Sequence, residues 1–278
     1  DLLKVFLNFK KKLDFLNKKK YLVAVSGGPD SLALAALTKV YTFQRKTKFF
    51  YVLVNHNIRK NSGIEAQQVK KLLRKKNIIL RILLNKEKIS KNIQAEARKV
   101  RYNIMKDYCK KNNIKVLLTA HNLEDQVETF FIRLSRGSGL KGLSAMMPLS
   151  KINNNISLYR PLLYIKKIFL TKISKNVFGK YFKDPSNKNI KYLRTKIRNL
   201  KRPLEKSGVK YDQIFKSIQN LSSSKNTLDN YLDKMFKKLI KKTNKEVTIN
   251  LKDFSELDNE TKMAIINESV KRLKKNYY

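Results

Sequence analysis

The chain of 278 residues carries 63 Lys and Arg against 21 Asp and Glu, and its net charge of +42 exceeds what solubility requires and suits a polyanionic partner, nucleic acid first. With 42% hydrophobic and 10% aromatic residues it has the material for a core, which excludes general disorder. No apolar run approaches the roughly 20 residues of a membrane helix, and the single cysteine, Cys109, excludes a disulfide framework, a cysteine-based metal cluster and chemistry needing two thiols.

The first residue is Asp1, which reads as a trimmed start, and nothing near it has the pattern of a secretory signal. Helical spacing over Phe6 to Leu16 precedes a short apolar strand, Tyr21 to Val25, which enters the turn Ser26-Gly-Gly-Pro-Asp-Ser31. Leu32 to Val40 then reads as a helix, Phe49 to Val54 as a strand, Gly63 to Lys76 as a helix, Ile78 to Leu84 as a strand, Ile93 to Lys111 as a helix and Val116 to Ala120 as a strand. This alternation predicts βαβ units and a parallel sheet. Glu124 to Leu134 reads as a helix, Arg136 to Gly142 as a flexible loop, Asn153 to Asn155 as a turn ahead of Ile156 to Leu163, and Ile165 to Asn176 as a helix. After the turn cluster Asp184-Pro-Ser-Asn187 strand patterns become scarce, and Tyr192 to Leu200, Tyr211 to Leu221, Asn226 to Lys242 and Asn259 to Leu273 are periodic as helices. The expected fold class is α/β, a parallel-sheet domain over 1–190 followed by a small, basic, all-α domain over 191–278, with no internal repeat.

Scarce residue types carry the chemical information, because Lys is the default cation here and only eight Gly and two His occur. In Ser26-Gly-Gly-Pro-Asp-Ser31 two glycines allow close approach of a phosphate to the backbone, Ser26 and Ser31 offer hydroxyls, Pro29 suits a helix start, and the helix N-terminus turns free amides toward an anion. Neither the Walker spacing nor GxGxxG is present. Asp30, a carboxylate among phosphates, calls for a cation such as Mg²⁺ between them, although an N-cap role also suits it. His56 follows the second strand within Val54-Asn-His56-Asn-Ile-Arg59, at the strand end where open sheets bind ligands. Arg98 and Arg101, with Tyr102, share one helix face able to grip phosphates, and arginine in a lysine-rich background points to its fork geometry.

The second histidine opens His121-Asn-Leu-Glu124-Asp125-Gln126-Val-Glu128. Asp125 and Glu128 fall on one helix face, a pair suited to a positive substrate group or a metal, or to the dipole of a helix N-terminus. Three of the eight glycines lie in the loop Arg136-Gly-Ser-Gly139-Leu-Lys-Gly142.

The loop Ser26 to Ser31 resembles the PP-loop of the N-type ATP pyrophosphatases, which split ATP between the α and β phosphates. Taken with His56-Asn-Ile-Arg59, the helix Glu96-Ala-Arg-x-x-Arg-Tyr102, Thr119-Ala-His-Asn-Leu-Glu-Asp-Gln126, Arg136 to Leu143, Tyr159-Arg-Pro-Leu162, Asp184 to Asn187 and Tyr192, Arg194 and Arg198, it resembles the tRNA(Ile)-lysidine synthase family. The likeness covers roughly residues 20 to 200, and the chain resembles the short form of that family.

The resemblance implies a PP-loop ATPase-like fold and a ligase acting on tRNA(Ile) with a CAU anticodon, in which ATP adenylates C2 of the wobble cytidine at position 34 and free L-lysine displaces AMP to give lysidine. It implies ATP and Mg²⁺ as cofactors, with Ser26, Gly27, Gly28, Pro29, Asp30, Ser31 and His56 around ATP and Asp30 toward the metal. Asp30, Arg98, Arg101, His121, Asp125 and Glu128 are then the catalytic candidates, Asp125 and Glu128 face lysine, and Arg136, Arg194 and Arg198 face tRNA. A homodimer is compatible with it, a membrane association is not, and the short form with this composition suits a plastid (chloroplast) stroma, with bacterial cytoplasm as the alternative. Two rivals remain: another PP-loop tRNA-modifying enzyme such as a thiolase, against which Cys109 stands far from every loop motif, and a catalytically decayed tRNA-binding protein, against which the intact loop stands.

Overall fold

A computed structural model describes residues 1–57, 61–85, 93–182, 190, 192–242 and 246–274. Helix α1 (Leu2–Leu16) leads into β1 (Lys20–Ala24), and α2 (Pro29–Thr42), β2 (Lys48–Asn55), α3 (Ser62–Arg74), β3 (Leu80–Leu84), α4 (Ile93–Lys111) and β4 (Val116–Leu118) follow in the alternation read from the sequence. After α5 (Leu123–Leu134) and the single turn α6 (Leu140–Leu143), two short strands β5 (Leu149–Lys151) and β6 (Ser157–Tyr159) complete a sheet of order β3-β2-β1-β4-β6-β5. β1 pairs in parallel with β2 and β4, β2 with β3 and β4 with β6, while β5 lies antiparallel at the edge. The segment that follows the turn at Asn153 to Asn155 supplies the short β6, and its antiparallel pairing with β5 was not foreseen.

The sheet is covered on both faces, which is why its central strands are apolar throughout. On one face Tyr21, Val23 and Val25 of the β1 segment, with Tyr51 and Leu53 of β2, pack against α1, α2, α3 and α7 (Lys167–Phe178). On the other, Leu22, Val52, Leu117 and Leu158 meet Met105 and Cys109 of α4. The period of two that divides Tyr21 and Val23 from Leu22 is what sets β1 between two layers.

Beyond residue 190 the chain forms α8 (Leu193–Asn199), α9 (Lys201–Lys206) and the 29-residue α10 (Tyr211–Leu239), followed by β7 (Ile240–Lys242), β8 (Val247–Ile249), α11 (Leu251–Ser255) and α12 (Asn259–Lys274). Two differences from the sequence reading stand out. The helices expected over Tyr211 to Leu221 and Asn226 to Lys242 are one continuous helix, because Ser222 to Ser224 between them keep helical geometry. The region is also not wholly helical, since β7 and β8 form an antiparallel pair that closes a small core of Phe236, Leu239, Ile240 and Ile265. The division expected at 190 falls just before α8, yet α8 packs on α5, and Tyr211, Phe215 and Ile218 of α10 share a core with Leu123 and Val127 of α5. The helices that follow 190 thus begin as a wall of the sheet domain. The expected turn over Asp184 to Asn187, and Arg59, lie outside the described residues.

Candidate active site

The order β3-β2-β1-β4 places a topological switch between β1 and β4: the chain leaves β1 toward β2 on one side and later returns to β4 on the other. Ligands of open α/β sheets bind in the crevice at the carboxyl ends of such strands. The 26–31 loop leaves β1 at this point and His121 follows β4.

Gly27 takes φ +83°, a conformation that favours glycine, and a side chain there would put its Cβ 2.6 Å from Cγ2 of Val69. Its carbonyl accepts the amide of Phe182 at 2.9 Å. Gly28 is the N-cap of α2 and Pro29 its first residue, a position where a missing amide costs nothing. The hydroxyl of Ser31 donates to the carbonyl of Gly28 at 3.0 Å, accepts the amide of Ser26 at 3.1 Å and lies 3.2 Å from the Ser26 hydroxyl. The loop is thereby closed on itself and holds its shape before any anion arrives.

Asp30, in the first turn of α2, lies 3.5 Å through Oδ2 from Nζ of Lys167, while its Oδ1 is buried without a partner. Burial pushes its carboxyl up to about 6, and the carboxylates of Asp125 and Glu124 add to the effect against the pull of Lys167. An orphaned, desolvated carboxylate beside an anion cradle fits a divalent cation shared with phosphates. Among the described residues no three His, Cys, Asp or Glu converge on one metal-sized point, so Asp30 would supply a single protein ligand, the mode in which Mg²⁺ pairs with a substrate's phosphates.

His121 accepts or donates through Nδ1 to the Thr119 hydroxyl at 2.9 Å. Burial, followed by the nearby guanidinium groups of Arg160, Arg98, Arg194 and Arg101, drives its pKa down to about 3, so the ring is neutral throughout the physiological range. The same influence of Arg101, after burial, lowers His56, whose two ring nitrogens are buried without partners at the end of β2. Arg98 stacks over Tyr102 at 5.1 Å, the pairing that their i and i+4 spacing allows. The structure thus brings His56, Arg98, Arg101 and His121 to one end of the sheet, together with the 26–31 loop.

Asn122 caps α5 in a reciprocal box: its Oδ1 accepts the amide of Asp125 at 3.0 Å, and Oδ2 of Asp125 accepts the amide of Asn122 at 3.1 Å. The other Asp125 oxygen faces Nη2 of Arg194 at 2.9 Å. Glu128, one turn on and buried, accepts from Nε of Arg194 at 2.7 Å and from Nε and Nη2 of Arg198 at 2.7 and 3.0 Å. Arg194 and Arg198, expected at the surface toward tRNA, therefore turn inward and join α8 to α5. Their i and i+4 spacing is what lets both reach one carboxylate. Asp125 and Glu128, read from the sequence as a place for a positive substrate group or a metal, here meet cations of the chain itself.

The loop from Arg136 to Gly142 is not a free connector. Nη1 of Arg133 donates to the carbonyls of Gly142 and Ala145, both at 2.7 Å, and Gln126 exchanges two hydrogen bonds of 2.8 Å with the backbone of Met146. Arg160, buried, donates to the carbonyl of Met147 at 2.7 Å and to the Ser150 hydroxyl at 3.0 Å. Arg136 itself is exposed at the start of the loop.

Sequence reasoning missed Glu124, Lys167 and Lys201. Glu124 accepts the first amide of α7, that of Lys167, at 2.9 Å and lies 3.4 Å from Nζ of Lys201. Their partners are more than 40 positions apart, so no local spacing marked them; for Glu124 the only cue was its neighbour Asp125. A groove of about 500 Å³ opens beside this cluster between α7 and the α8 to α10 segment.

A family described as PP-loop domain matches residues 3–204. The tRNA(Ile)-lysidine synthase of Wolbachia pipientis wMel is 34% identical over 262 residues, 92% of this chain and 60% of that protein, and that of Orientia tsutsugamushi is 41% identical over 189 residues, 67% of this chain and 42% of that protein. The chain spans about half the length of the curated relatives it matches. These relatives are bacterial and lend no support to a plastid. Among the described residues no helix is long and apolar enough to cross a membrane. In fold the chain is similar to the U34-tRNA thiolase NcsA of Methanococcus maripaludis, with a TM-score of 0.66 at 20% identity over 79% of each chain.

Proposed function

The chain belongs to the PP-loop domain family, and on that premise we propose that it acts on tRNA(Ile) with a CAU anticodon, converting the wobble cytidine at position 34 to lysidine with ATP and free L-lysine. The observation that carries this reading is the meeting, at one strand switch, of a phosphate cradle with a carboxylate pair that binds cations inside a protein of net charge +42. A cradle alone serves any nucleotide; the pair adds carboxylates on which a cationic co-substrate would take the place of Arg194.

In this reading the amides of Gly27, Gly28 and Ser31 and the hydroxyls of Ser26 and Ser31 hold the phosphates of ATP, Pro29 sets the start of α2 beneath them, and His56 lies beside the nucleotide. Asp30 would hold Mg²⁺, which when bound neutralises charge between the phosphates. C2 oxygen of the cytidine attacks the α-phosphorus and pyrophosphate leaves; Arg98 and Arg101 stabilise the charge that develops there, and neutral His121 serves as a hydrogen-bond group rather than a proton store. The ε-amine of lysine then attacks C2 and AMP leaves. Asp125 and Glu128 orient the incoming ammonium, in exchange with Arg194, and take up the proton that the amine must lose. Arg136 faces the RNA at the rim. The assigned compartment is the bacterial cytoplasm.

A thiolase reading, suggested by fold likeness alone, is disfavoured by Cys109: it is fully buried within α4, and burial pushes its thiol up to about 12. Exchange of labelled pyrophosphate into ATP tests the first step. The reading expects exchange that depends on added tRNA; exchange of equal rate without tRNA contradicts adenylation of a base.

A further inference from the structure

With Arg194 and Arg198 turned inward, the surface that receives the RNA backbone must be sought elsewhere. Two concavities flank the carboxylate cluster, and they share Glu124, Lys201 and Tyr211. The smaller, of about 300 Å³, is balanced: Lys166, Lys201 and Lys210 face Glu124, Glu205 and Asp212, and Lys166 pairs with Asp212 at 2.6 Å. The larger, of about 500 Å³, is not. Five cations, Lys167, Lys172, Lys175, Arg198 and Lys201, line it against Glu124 and Glu128, and both carboxylates already hold internal partners.

The helix geometry accounts for the surplus. Ile168, Thr171, Lys172 and Lys175 of α7 form one face at spacings of three and four, while Leu170, Ile173 and Phe178 turn the opposite face into the core. Lys172 and Lys175 are exposed and, among the described residues, neither meets a carboxylate. Tyr211 closes the far wall, its hydroxyl buried without a partner. The groove also shares Glu128 and Arg198 with the candidate active site, so a strand lying in it runs past the carboxylate pair.

We propose that this groove, through Lys172 and Lys175, is the track for the phosphodiester backbone of the RNA substrate. Positive charge in a concave wall concentrates a polyanion, and lysine ammonium groups on flexible stems suit backbone contacts that position without reading bases. The inference rests on the proposed action on tRNA and names the surface that action would use.

The test is binding of a tRNA(Ile) transcript with a CAU anticodon to the full chain across a range of salt, with ATP and inorganic pyrophosphate as separate ligands. Lys172→Ala with Lys175→Ala should weaken RNA binding and lower the slope of log K against log salt by about 1.5, the loss of two phosphate contacts. ATP and pyrophosphate affinities should not move. Lys70→Ala with Lys71→Ala, on exposed positions of α3, removes equal charge and should leave the slope at the parent value. An unchanged slope in the groove variant, an equal fall in the α3 variant, or lost pyrophosphate affinity with RNA binding intact would each overturn the assignment. Both pairs are exposed, so a melting curve suffices to verify folding. Absence of lysine transfer by the parent chain would count against the proposed reaction, while the slope difference judges the groove on its own.

Discussion

At the scale of single residues the site holds a carboxylate away from water. Asp30 is held where its ionised form is disfavoured, and folding therefore raises its pKa from an ordinary carboxylate value to about 6. For a carboxylate raised in the folded state, the cost is full above the folded pKa and vanishes as pH falls below the unfolded one. Asp30→Asn is thus expected to stabilise the protein by up to about 2 kcal/mol at pH 7 and by nothing near pH 3.5, an effect that urea unfolding at the two pH values would reveal. The same substitution should lower turnover by at least about 100-fold, the scale of removing one electrostatic element from a transition state. A variant less stable at pH 7, or one with parental turnover, would remove Asp30 from this role. His121 makes the opposite case. Its depressed pKa keeps the ring neutral when folded while the unfolded chain takes a proton below about 6.5, so its contribution to stability is present at neutral pH and lost toward acid. Its imidazole signals should stay at their neutral positions between pH 8 and 5; a titration centred near 6.5 would contradict the burial described.

At the scale of elements, α5 is the hinge of the whole arrangement, since its first two turns meet α7 through Glu124, α8 through Asp125 and Glu128, and α10 through Leu123 and Val127. Glu128→Gln leaves two guanidinium groups facing a neutral amide and is expected to cost about 2 to 3 kcal/mol, below the range for fully buried pairs because the arginines are a third exposed. Asp125→Asn keeps an oxygen for the cap and should cost less; its expected signature is a raised lysine requirement with tRNA-dependent pyrophosphate exchange preserved. Loss of exchange and lysine transfer together would assign the pair to structure alone. Arg194→Ala with Arg198→Ala should lower the melting temperature and change the RNA salt slope less than the groove pair does, because both guanidinium groups are already paired with Asp125 and Glu128. The start of α5 was legible in the sequence, since Asn122 and Asp125 stand at the spacing of a capping box just ahead of an apolar periodic run. The partners of Asp125 and Glu128 were not: Arg194 and Arg198 lie 66 to 70 positions away in the pairs they form, and only folding shows that two arginines on one helix face were aimed inward rather than at an external polyanion.

On the scale of the whole molecule, the apolar strands and their βαβ rhythm made the parallel sheet readable, whereas the strand order, and with it the switch point that gathers the 26–31 loop and His121, came only with the fold. Short pieces escaped. β5, β7 and β8 are three residues each, and in a lysine-rich background three residues carry no detectable alternation. Charge was legible in amount but not in arrangement, for a net +42 says nothing of which concavity is balanced and which is not. The central claim is that these parts transfer lysine to one tRNA. The most direct measurement incubates the chain with ATP, labelled lysine and an unfractionated tRNA pool, then identifies the tRNA that takes up label and the nucleotide that carries it. The expected result is label on the wobble cytidine of tRNA(Ile) with a CAU anticodon, with one AMP and one pyrophosphate formed per lysine. ATP consumption without label in any tRNA, or label on another tRNA, would contradict it.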